Sequence, residues 1–339
     1  MALSLKKDAY NKSISLSFND LQKQLVDIKD IPWIKDVPSQ SLQGAVQRLK
    51  RTYDNFFSKR AGFPKYQSKK KANSILFKSV EQLSSNTFKL PKIGAVKVYK
   101  DRQPEGQLKT ATIVKDAGKY YLHIVCEIET KIATPCEKQV GIDVGVSNFA
   151  VLSDGTIVEH PQLLEQSKTK LRLAQRKLSR AKKRGKNRYK QVRIVQLLHQ
   201  KVRRQRQDFI HKLSSKIVQE NDCISVEKLN IKGMVQSNLS KQISDSGWGY
   251  FRQMLKYKAA LYGKEYVEVN PKYSSQECFI CGHISKSNRT TQANFSCENC
   301  GHTDHADKNA SKNILRRGQR LLAQSKDNSL RLAKEPHGL

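Results

Sequence analysis

Two Cys-x-x-Cys pairs near the carboxyl end constrain the fold of this chain more than any other feature. Cys278 and Cys281 form one pair, Cys297 and Cys300 form the other, and 15 residues separate them. Four thiolates at this spacing favour a tetrahedral zinc site, because each tight turn directs two sulfurs at one ion. A glycine follows each pair and permits the left-handed turn that closes a zinc knuckle. Since all four ligands are cysteine, we predict a structural zinc ion with no open position for catalysis.

Two disulfides are the alternative for the same cysteines, and the rest of the chain disfavours it. The N-terminus lacks an apolar stretch of signal-peptide length, and no 18-residue apolar run occurs anywhere. We therefore predict a reducing, cytoplasmic location without a membrane-spanning helix. The three other cysteines are predicted to be small core residues rather than ligands or nucleophiles: Cys126, Cys136 and Cys223.

The charge of the chain predicts a polyanionic partner. Lysine and arginine number 63 against 30 acidic residues, which gives a net charge of +33. Residues 166–216 alone hold 19 basic residues and one acid, in a pattern of helical periodicity that Gly185 divides in two. Nucleic acid is the favoured partner, and an anionic membrane surface is the alternative. The basic helices are expected to contact phosphates.

Three acidic residues from distant segments are candidates for a second metal site. Asp143 lies in the apolar strand VGIDVGV, Glu227 lies near the end of the strand ISVEKL, and Asp307 opens the helix HADKNASKNIL. A buried acid is unfavourable unless it is paired or bound to a cation. Magnesium prefers such oxygen ligands, and two ions about 4 Å apart would activate a water and stabilise a leaving oxygen during phosphodiester cleavage. Three unrelated acids, such as a helix cap and two strand ends, are the alternative.

The order of predicted elements gives these acids a common place. Three hairpin-linked strands come first, and Asp143 lies on the first of them. A crossover helix follows, a further strand carries Glu227, and a late helix opens with Asp307. We interpret this order as an RNase H-like α/β fold, in which strand acids and a C-terminal helix acid converge at one end of the sheet. The preceding segment is β-rich at 72–130 and helical before residue 60.

These segments together make the chain similar to a known family. It resembles the TnpB (OrfB) proteins of insertion sequences, which are related to type V CRISPR effectors and share a RuvC-like nuclease domain. The similar segments cover nearly the whole chain; they are 33–57, 62–71, 141–155, 226–234, 244–263, 269–282 and 295–315. The resemblance implies a multi-domain α/β protein: a RuvC core with a four-cysteine zinc-ribbon insertion, a β-barrel wedge domain and a helical recognition segment.

The resemblance also implies domain boundaries and an activity. The expected domains are a helical recognition-like segment at 1–70, a wedge-like domain at 71–137, the RuvC core at 138–270 with its basic helical insertion at 161–220, the zinc ribbon at 271–303, the final RuvC helix at 304–322 and a disordered tail at 323–339. The implied activity is RNA-guided DNA cleavage by a two-metal mechanism, with guide RNA and target DNA as partners. No small-molecule cofactor is expected, and the location would be the cytoplasm of a prokaryote, at the nucleoid.

Residue by residue, the resemblance gives Asp143, Glu227 and Asp307 as catalytic magnesium ligands and the four cysteines as zinc ligands. Arg289 lies near the place where such proteins carry a basic residue that faces the site. The chain departs from the family in two ways. Members usually begin with a strand and a helix before the segment that opens this chain, so we expect a shortened N-terminus. His305 replaces an acid often found two residues before the last aspartate.

Two other functions are compatible with the same residues. A shortened protein could bind RNA and DNA without cutting, although three intact acids argue against that. An RNA-independent DNA transposase of the DDE type has a similar core, but it lacks a zinc insertion before the last acid. Retained cleavage after RNA removal would favour the transposase.

Overall fold

The computed structural model describes residues 2–27, 31–66, 73–99, 102–129, 134–234 and 247–334. The chain divides into two compact units, Met1–Glu129 and Thr130–Leu339. None of the described helices is both long enough and apolar enough to cross a membrane.

Four helices open the first unit, and they are α1 (Ala2–Asn11), α2 (Phe18–Asp27), α3 (Pro32–Lys35) and α4 (Ser39–Phe57). Helix α2 begins with a reciprocal cap, in which the Ser17 backbone N–H donates to Asp20 Oδ2 (2.9 Å) and the Asp20 N–H donates to Ser17 Oγ (3.1 Å). Helix α4 buries Val46 and Tyr53 as its periodicity predicts. Phe57 ends the helix and stacks on Tyr53 with ring centroids 6.1 Å apart, but it is 73% exposed.

Six strands complete the first unit, and they are β1 (Ser74–Phe77), β2 (Glu81–Ser84), β3 (Thr87–Leu90), β4 (Gly94–Lys97), β5 (Gln107–Asp116) and β6 (Lys119–Glu127). They pair as two antiparallel three-stranded sheets, in the orders β1-β5-β6 and β2-β3-β4. Phe77, Leu90 and Ala111 form their shared core. The β-rich segment expected from the sequence is therefore present, and its described strands pair as two sheets.

One five-stranded sheet organises the second unit, and its strands are β7 (Gln139–Val144), β8 (Ala150–Leu152), β9 (Ile157–Val158), β10 (Cys223–Glu227) and β11 (Glu265–Val269). Their spatial order is β11-β10-β7-β8-β9. Strands β7 to β9 pair antiparallel, whereas β10 lies parallel to both β7 and β11. This is the arrangement that the RNase H-like prediction requires.

The described helices that accompany this sheet are α5 (Gln162–Arg180), α6 (Lys186–Glu220), α7 (Ile231–Met234), α8 (Trp248–Leu261) and α9 (Ala306–Lys334). The predicted division of the basic stretch is confirmed, with Gly185 as the N-cap of α6. From the sequence, Asp245 or Ser246 is expected to cap α8, but both lie outside the described residues, and Gly247 is the N-cap of that helix.

The last helix is longer than the sequence suggested. We expected it to end near Leu322, with a disordered tail over 323–339, but α9 continues to Lys334. No glycine or proline occurs between 319 and 334 to stop a helix, and the first proline is Pro336. The predicted helix end at Leu322 is therefore wrong.

The two faces of the sheet are covered differently because side chains alternate along each strand. Val140, Ile142, Ile224 and Val226 point to one face, where they join buried residues of α6 and α8 in the main core. Helix α9 covers the other face very closely. A Cβ on Gly141 would lie 2.2 Å from the backbone oxygen of Ser311 and one on Gly318 would lie 1.9 Å from Ser225 Oγ, so both positions require glycine for this approach.

A small two-stranded ribbon lies between β11 and α9, built from β12 (Asn294–Ser296), β13 (Thr303–His305) and a 3₁₀ turn at Lys286–Asn288. Its core is Cys278, Phe295, Cys297 and Ala306. Among the other cysteines, Cys223 is buried as predicted. Cys126 and Cys136 are only half-buried, and the Cys136 thiol lies 3.3 Å from Asp222 Oδ1, so the prediction that both are core residues is wrong.

Candidate active site and zinc ribbon

Strand alternation explains how two of the three predicted acids meet. Asp143 lies two residues after Gly141 on β7, and Glu227 lies two residues after Ser225 on β10, so both point to the face that α9 covers. The preceding residues Ile142 and Val226 are register partners in the parallel β7–β10 pair. Both acids therefore lie side by side at the carboxyl ends of their strands.

Asp307 joins them from the first turn of α9. A cleft of about 320 Å³ has all three carboxylates in its wall, and its other lining residues are Val144, Gly145, Val146, Ser147, Leu229, Pro271, Ser274, Ser275, Arg289 and Gln292. The structure thus brings together the three acids that the sequence singled out from segments 80 or more residues apart.

The electrostatics of the cleft disfavour three ionised acids on their own. Burial, and then the nearby charges of Glu227 and Asp307, raise the pKa of Asp143 well above its ordinary value, while Arg289 opposes the rise. Burial also raises the pKa of Glu227, against the hydrogen bond from Ser274 and the charge of Arg317. A carboxyl group in such surroundings retains its proton or binds a cation. A multivalent cation would remove the repulsion that raises these pKa values.

Arg289 is the basic residue that reaches the acids. Its Nη2 donates to Asp307 Oδ1 at 3.1 Å and to the backbone oxygen of Gln292 at 2.8 Å. The Gln292 amide in turn donates to Ser147 Oγ at 3.1 Å, and both residues line the cleft. The guanidinium balances the Asp307 carboxylate, and the carboxylate oxygens in the cleft are of the kind that a hard divalent cation prefers. The donor set therefore fits the predicted metal.

Ser274, which no sequence pattern indicated, holds one of the acids. The Ser274 hydroxyl lies 2.5 Å from Glu227 Oε1 and 3.0 Å from the backbone oxygen of Pro271. It is buried, and its own carbonyl oxygen accepts a hydrogen bond from Asn313 Nδ2 on α9 at 3.1 Å. A single serine in a polar loop carries no signal by itself, so only the fold could reveal this contact.

The four predicted zinc ligands form one cluster. The sulfurs of Cys278, Cys281, Cys297 and Cys300 all lie within 4.8 Å of one another. The Cys278–Cys300 sulfurs are 3.7 Å apart and the Cys281–Cys297 sulfurs are 3.5 Å apart. Zinc–sulfur bonds of about 2.3 Å in a tetrahedron place sulfurs about 3.8 Å apart, so the cluster matches a zinc ion closely.

Each cysteine pair forms the same backbone turn. The N–H of Gly282 donates to the carbonyl of Cys278 at 2.9 Å, and the N–H of Gly301 donates to that of Cys297 at 2.9 Å. Both glycines have positive φ, 77° and 69°, in the region that L side chains rarely adopt. The predicted glycine-closed knuckles are thus present in both halves of the ribbon.

Buried asparagines fasten the ribbon to the helix that carries Asp307. Asn309 Nδ2 donates to the backbone oxygen of Glu277 at 2.8 Å, its Oδ1 accepts from the N–H of Phe279 at 3.0 Å, and Asn313 Nδ2 also donates to the Glu277 oxygen. The Glu277 carboxylate pairs with Arg316 and with Arg317. These contacts tie the first zinc knuckle to the first turns of α9.

The departure from the family pattern has a local explanation. His305 Nδ1 accepts the backbone N–H of Asp307 at 3.3 Å, which gives the first turn of α9 a side-chain partner. Asp304 does not line the cleft of the three acids. Its carboxylate pairs with Lys312 Nζ at 2.7 Å, and the same Nζ lies 5.9 Å from the centroid of the Phe279 ring. Both side chains therefore support the start of the helix.

Both the sequence and the fold of this chain are similar to those of known proteins. Residues 123–238 match a family described as a probable transposase, and residues 248–314 match the Cas12f1-like TNB domain. A putative RNA-guided DNA endonuclease, InsQ, of Escherichia coli K12 is 35% identical over 93% of this chain and 84% of its own length. A putative RNA-guided DNA endonuclease of Streptomyces pristinaespiralis is 32% identical over 86% of this chain and 74% of its own length.

A solved structure shares the fold. The cryo-EM structure of the Cas12f1–sgRNA–target DNA complex superposes with a TM-score of 0.58, over 92% of this chain and 78% of that protein, at 15% sequence identity. The superposition covers almost the whole chain, so the likeness extends beyond the sheet that carries the acids.

Proposed function

Since this chain belongs to the TnpB (OrfB) family of insertion-sequence proteins, we propose that it is an RNA-guided DNA endonuclease. The relatives that support this are named as putative RNA-guided DNA endonucleases and match most of the chain at 35% and 32% identity. The observation that carries the proposal is the cleft in which Asp143, Glu227 and Asp307 meet. Three converging carboxylates are the ligand set of a metal-dependent phosphodiesterase.

The proposed metal ligands are the same three acids. Asp143 and Glu227 offer oxygens from neighbouring strands, and Asp307 offers its own from the helix. A pair of magnesium ions, when bound, supplies an activated water and stabilises the leaving oxygen. Ser274 holds the Glu227 carboxylate in one orientation through its 2.5 Å contact. The raised pKa of Asp143 would fall on metal binding, because the cation favours the ionised form.

Arg289 has a further proposed part in the reaction. Its guanidinium pairs with Asp307 at 3.1 Å, and a cation at that carboxylate would weaken the pair. We propose that Arg289 then turns towards the phosphate of the DNA strand, where it offsets the negative charge that grows in the transition state. The four cysteines hold zinc and keep the ribbon, and with it Arg289, in place.

The nucleic acid would be held by the basic helices and by the first unit. Helices α5 and α6 expose most of the basic residues between 166 and 216 to solvent, a footprint that suits the phosphates of a guide–target heteroduplex. We propose that residues 1–70 and 71–137 act as recognition and wedge segments and that 138–322 form the nuclease with its ribbon at 271–303. Guide RNA and target DNA are the proposed partners.

Plasmid cleavage is the direct test. The protein is co-expressed with the flanking RNA of its own element and then incubated with magnesium and a plasmid library of randomised target-flanking sequence. We expect cleavage beside one short motif, and no cleavage by Asp143→Ala protein that still co-purifies RNA. Co-purified RNA without any product would favour the binding-only function. Cleavage that survives removal of RNA would favour the transposase.

A further inference from the structure

The loop at residues 270–275, which we call the rim loop, has a strained aromatic residue at its centre. Pro271, Ser274 and Ser275 line the cleft of the three acids. Tyr273, between them, has φ = 63° and is not glycine. A left-handed backbone is uncommon for a bulky side chain and often marks a functional position. Glycine or asparagine would satisfy the same backbone more easily, so the tyrosine ring itself calls for an explanation.

The backbone of the rim loop is held firmly in this conformation. Asn270 Oδ1 accepts the N–H of Lys272 at 2.9 Å, and Arg317 Nη1 donates to the carbonyls of both residues at 2.8 Å. The carbonyl of Tyr273 accepts the N–H groups of Gln276 and Glu277, each at 3.0 Å. The loop therefore presents its aromatic ring from a rigid base and loses little entropy when a ligand contacts it.

The ring of Tyr273 is accessible and carries a cation on one face. The residue is 44% exposed, and Lys272 Nζ lies 4.9 Å from the ring centroid. An aromatic face beside a lysine is the combination with which proteins hold single-stranded nucleic acid, since the ring stacks on a base and the ammonium contacts the adjacent phosphate. The hydroxyl of the next residue, Ser274, reaches the Glu227 carboxylate.

We propose that Tyr273 is a base-stacking platform for the single-stranded DNA that enters the cleft. The inference rests on the proposed function, and it adds a contact that positions the strand one or two nucleotides from the phosphate to be cut. Stacking there would fix the distance between the held base and the three acids. The ring accepts any base, so the contact positions the strand without reading its sequence.

The test compares variants of the full chain in an Asp143→Ala background, where bound DNA stays intact. The probes are short single-stranded oligonucleotides that carry one 2-aminopurine, whose fluorescence is quenched by stacking. We expect Tyr273→Gly to bind about 5- to 150-fold more weakly, the range that one stacked base contributes, and to lose the quenching at one probe position. Tyr273→Phe should retain both. Glycine also relieves the backbone at this φ, so the variant should fold at least as well.

An abasic site at the quenched position gives a second reading. It should weaken binding of the Tyr273-containing protein by the same factor and leave Tyr273→Gly unaffected. The matched control is Tyr257→Ala, because Tyr257 is 53% exposed on α8 and should bind like the parent. Equal affinity and equal quenching in Tyr273→Gly would overturn the proposal. Because no cleavage is measured, absence of plasmid cleavage by the wild-type chain would count against the proposed function alone.

Discussion

The hydroxyl of Ser274 lies 2.5 Å from Oε1 of Glu227 and belongs to the segment that leads into the zinc ribbon. Glu227 itself comes from a strand 47 residues earlier. The contact joins the face of the sheet that carries the acids to the ribbon. It lowers the pKa of the Glu227 carboxyl group, which burial raises. Partners of this kind orient metal ligands and tune their basicity.

Replacement of Ser274 by alanine should weaken the site without unfolding it. We expect cleavage at limiting magnesium to fall by about 10- to 100-fold, as is usual when a ligand loses its hydrogen-bond partner. High magnesium should restore part of the rate, because the loss is mainly in metal affinity. Ser274→Thr keeps the hydroxyl and should cleave normally. Equal magnesium dependence in the alanine and threonine variants would contradict the assigned role.

The raised pKa values of Asp143 and Glu227 predict how the stability of metal-free protein depends on pH. A carboxyl group with a raised pKa binds protons more tightly in the folded state than in the unfolded state, so its contribution is fully present below the ordinary value near 4 and is lost as pH rises through the folded value. Metal-free protein should therefore lose thermal stability over that window. Magnesium should restore stability at the upper end, with release of protons.

Asp143→Asn tests the same effect with a neutral side chain of equal size. The variant should show a smaller loss of thermal stability with rising pH and little stabilisation by magnesium. Its cleavage should fall by at least about 10³-fold, because several kcal/mol of metal-dependent stabilisation are removed. Thermal scans from acidic to neutral pH, with and without magnesium, check the prediction. A melting temperature with the same pH dependence as wild type would contradict it.

The cysteine cluster predicts one tightly bound zinc ion per chain. Cys297→Ser should lower the zinc content and release the ribbon, because this thiol is buried and has its partners within 4.8 Å. Cleavage should then fall, since Arg289 and the start of α9 are held by the ribbon. Metal analysis and thermal unfolding measure the effect. Cys126 lies outside the cluster, so the Cys126→Ser variant is the control and should retain both zinc and activity.

The basic helices predict a steep dependence of nucleic-acid affinity on salt. Exposed residues such as Arg172, Arg176 and Lys183 are candidates for phosphate contacts. Each alanine substitution should reduce the slope of log affinity against log salt by about 0.7–0.9. Lys212 pairs with Asp208 at 2.8 Å on the same helix pair, so Lys212→Ala should change the slope less. If none of the substitutions at Arg172, Arg176 and Lys183 changes the slope, α5 and the adjoining turn do not contact the phosphates.

The close approach of α9 to the sheet predicts a stability effect remote from any ligand. A Cβ at position 141 would meet the Ser311 carbonyl at 2.2 Å, so Gly141→Ala must displace the helix. We expect a loss of about 1–3 kcal/mol in the free energy of unfolding, the usual effect of overpacking. Cleavage should fall as well, because Asp307 moves with the helix. Gly62→Ala is the control, since no atom lies within 4 Å of its added Cβ.

The sequence predicted those parts of the site whose chemistry leaves a local pattern. The cysteine spacing and its glycines indicated the ribbon, and acids inside apolar strands indicated Asp143 and Glu227 because a buried charge is rare without a partner. The strand order followed from the alternation of apolar runs and helices. That the three acids act as catalytic metal ligands stays a prediction.

Contacts between distant polar residues could not be read from the sequence. Ser274, Asn309 and Asn313 are ordinary polar residues until the fold places them against Glu227 and the ribbon backbone. The polar sequence after Leu322 suggested a disordered tail, but it contains no residue that stops a helix before Pro336, and α9 continues to Lys334. Polarity indicates solvent exposure, whereas glycine and proline indicate where a helix ends.

Gly141 and Gly318 set the distance between α9 and the sheet, and neither residue belongs to the ribbon. The position of Asp307 relative to Asp143 is thus fixed by backbone contact along the helix as well as by the knuckles before it. The seat of the helix on the sheet is therefore independent of the ribbon sequence. A ribbon of different length or sequence, grafted between 277 and 306, would leave the helix seated on the same two glycines, but it would have to supply its own basic residue in place of Arg289 beside Asp307. The chain is therefore suited to exchange of its zinc module between homologues that carry such a residue.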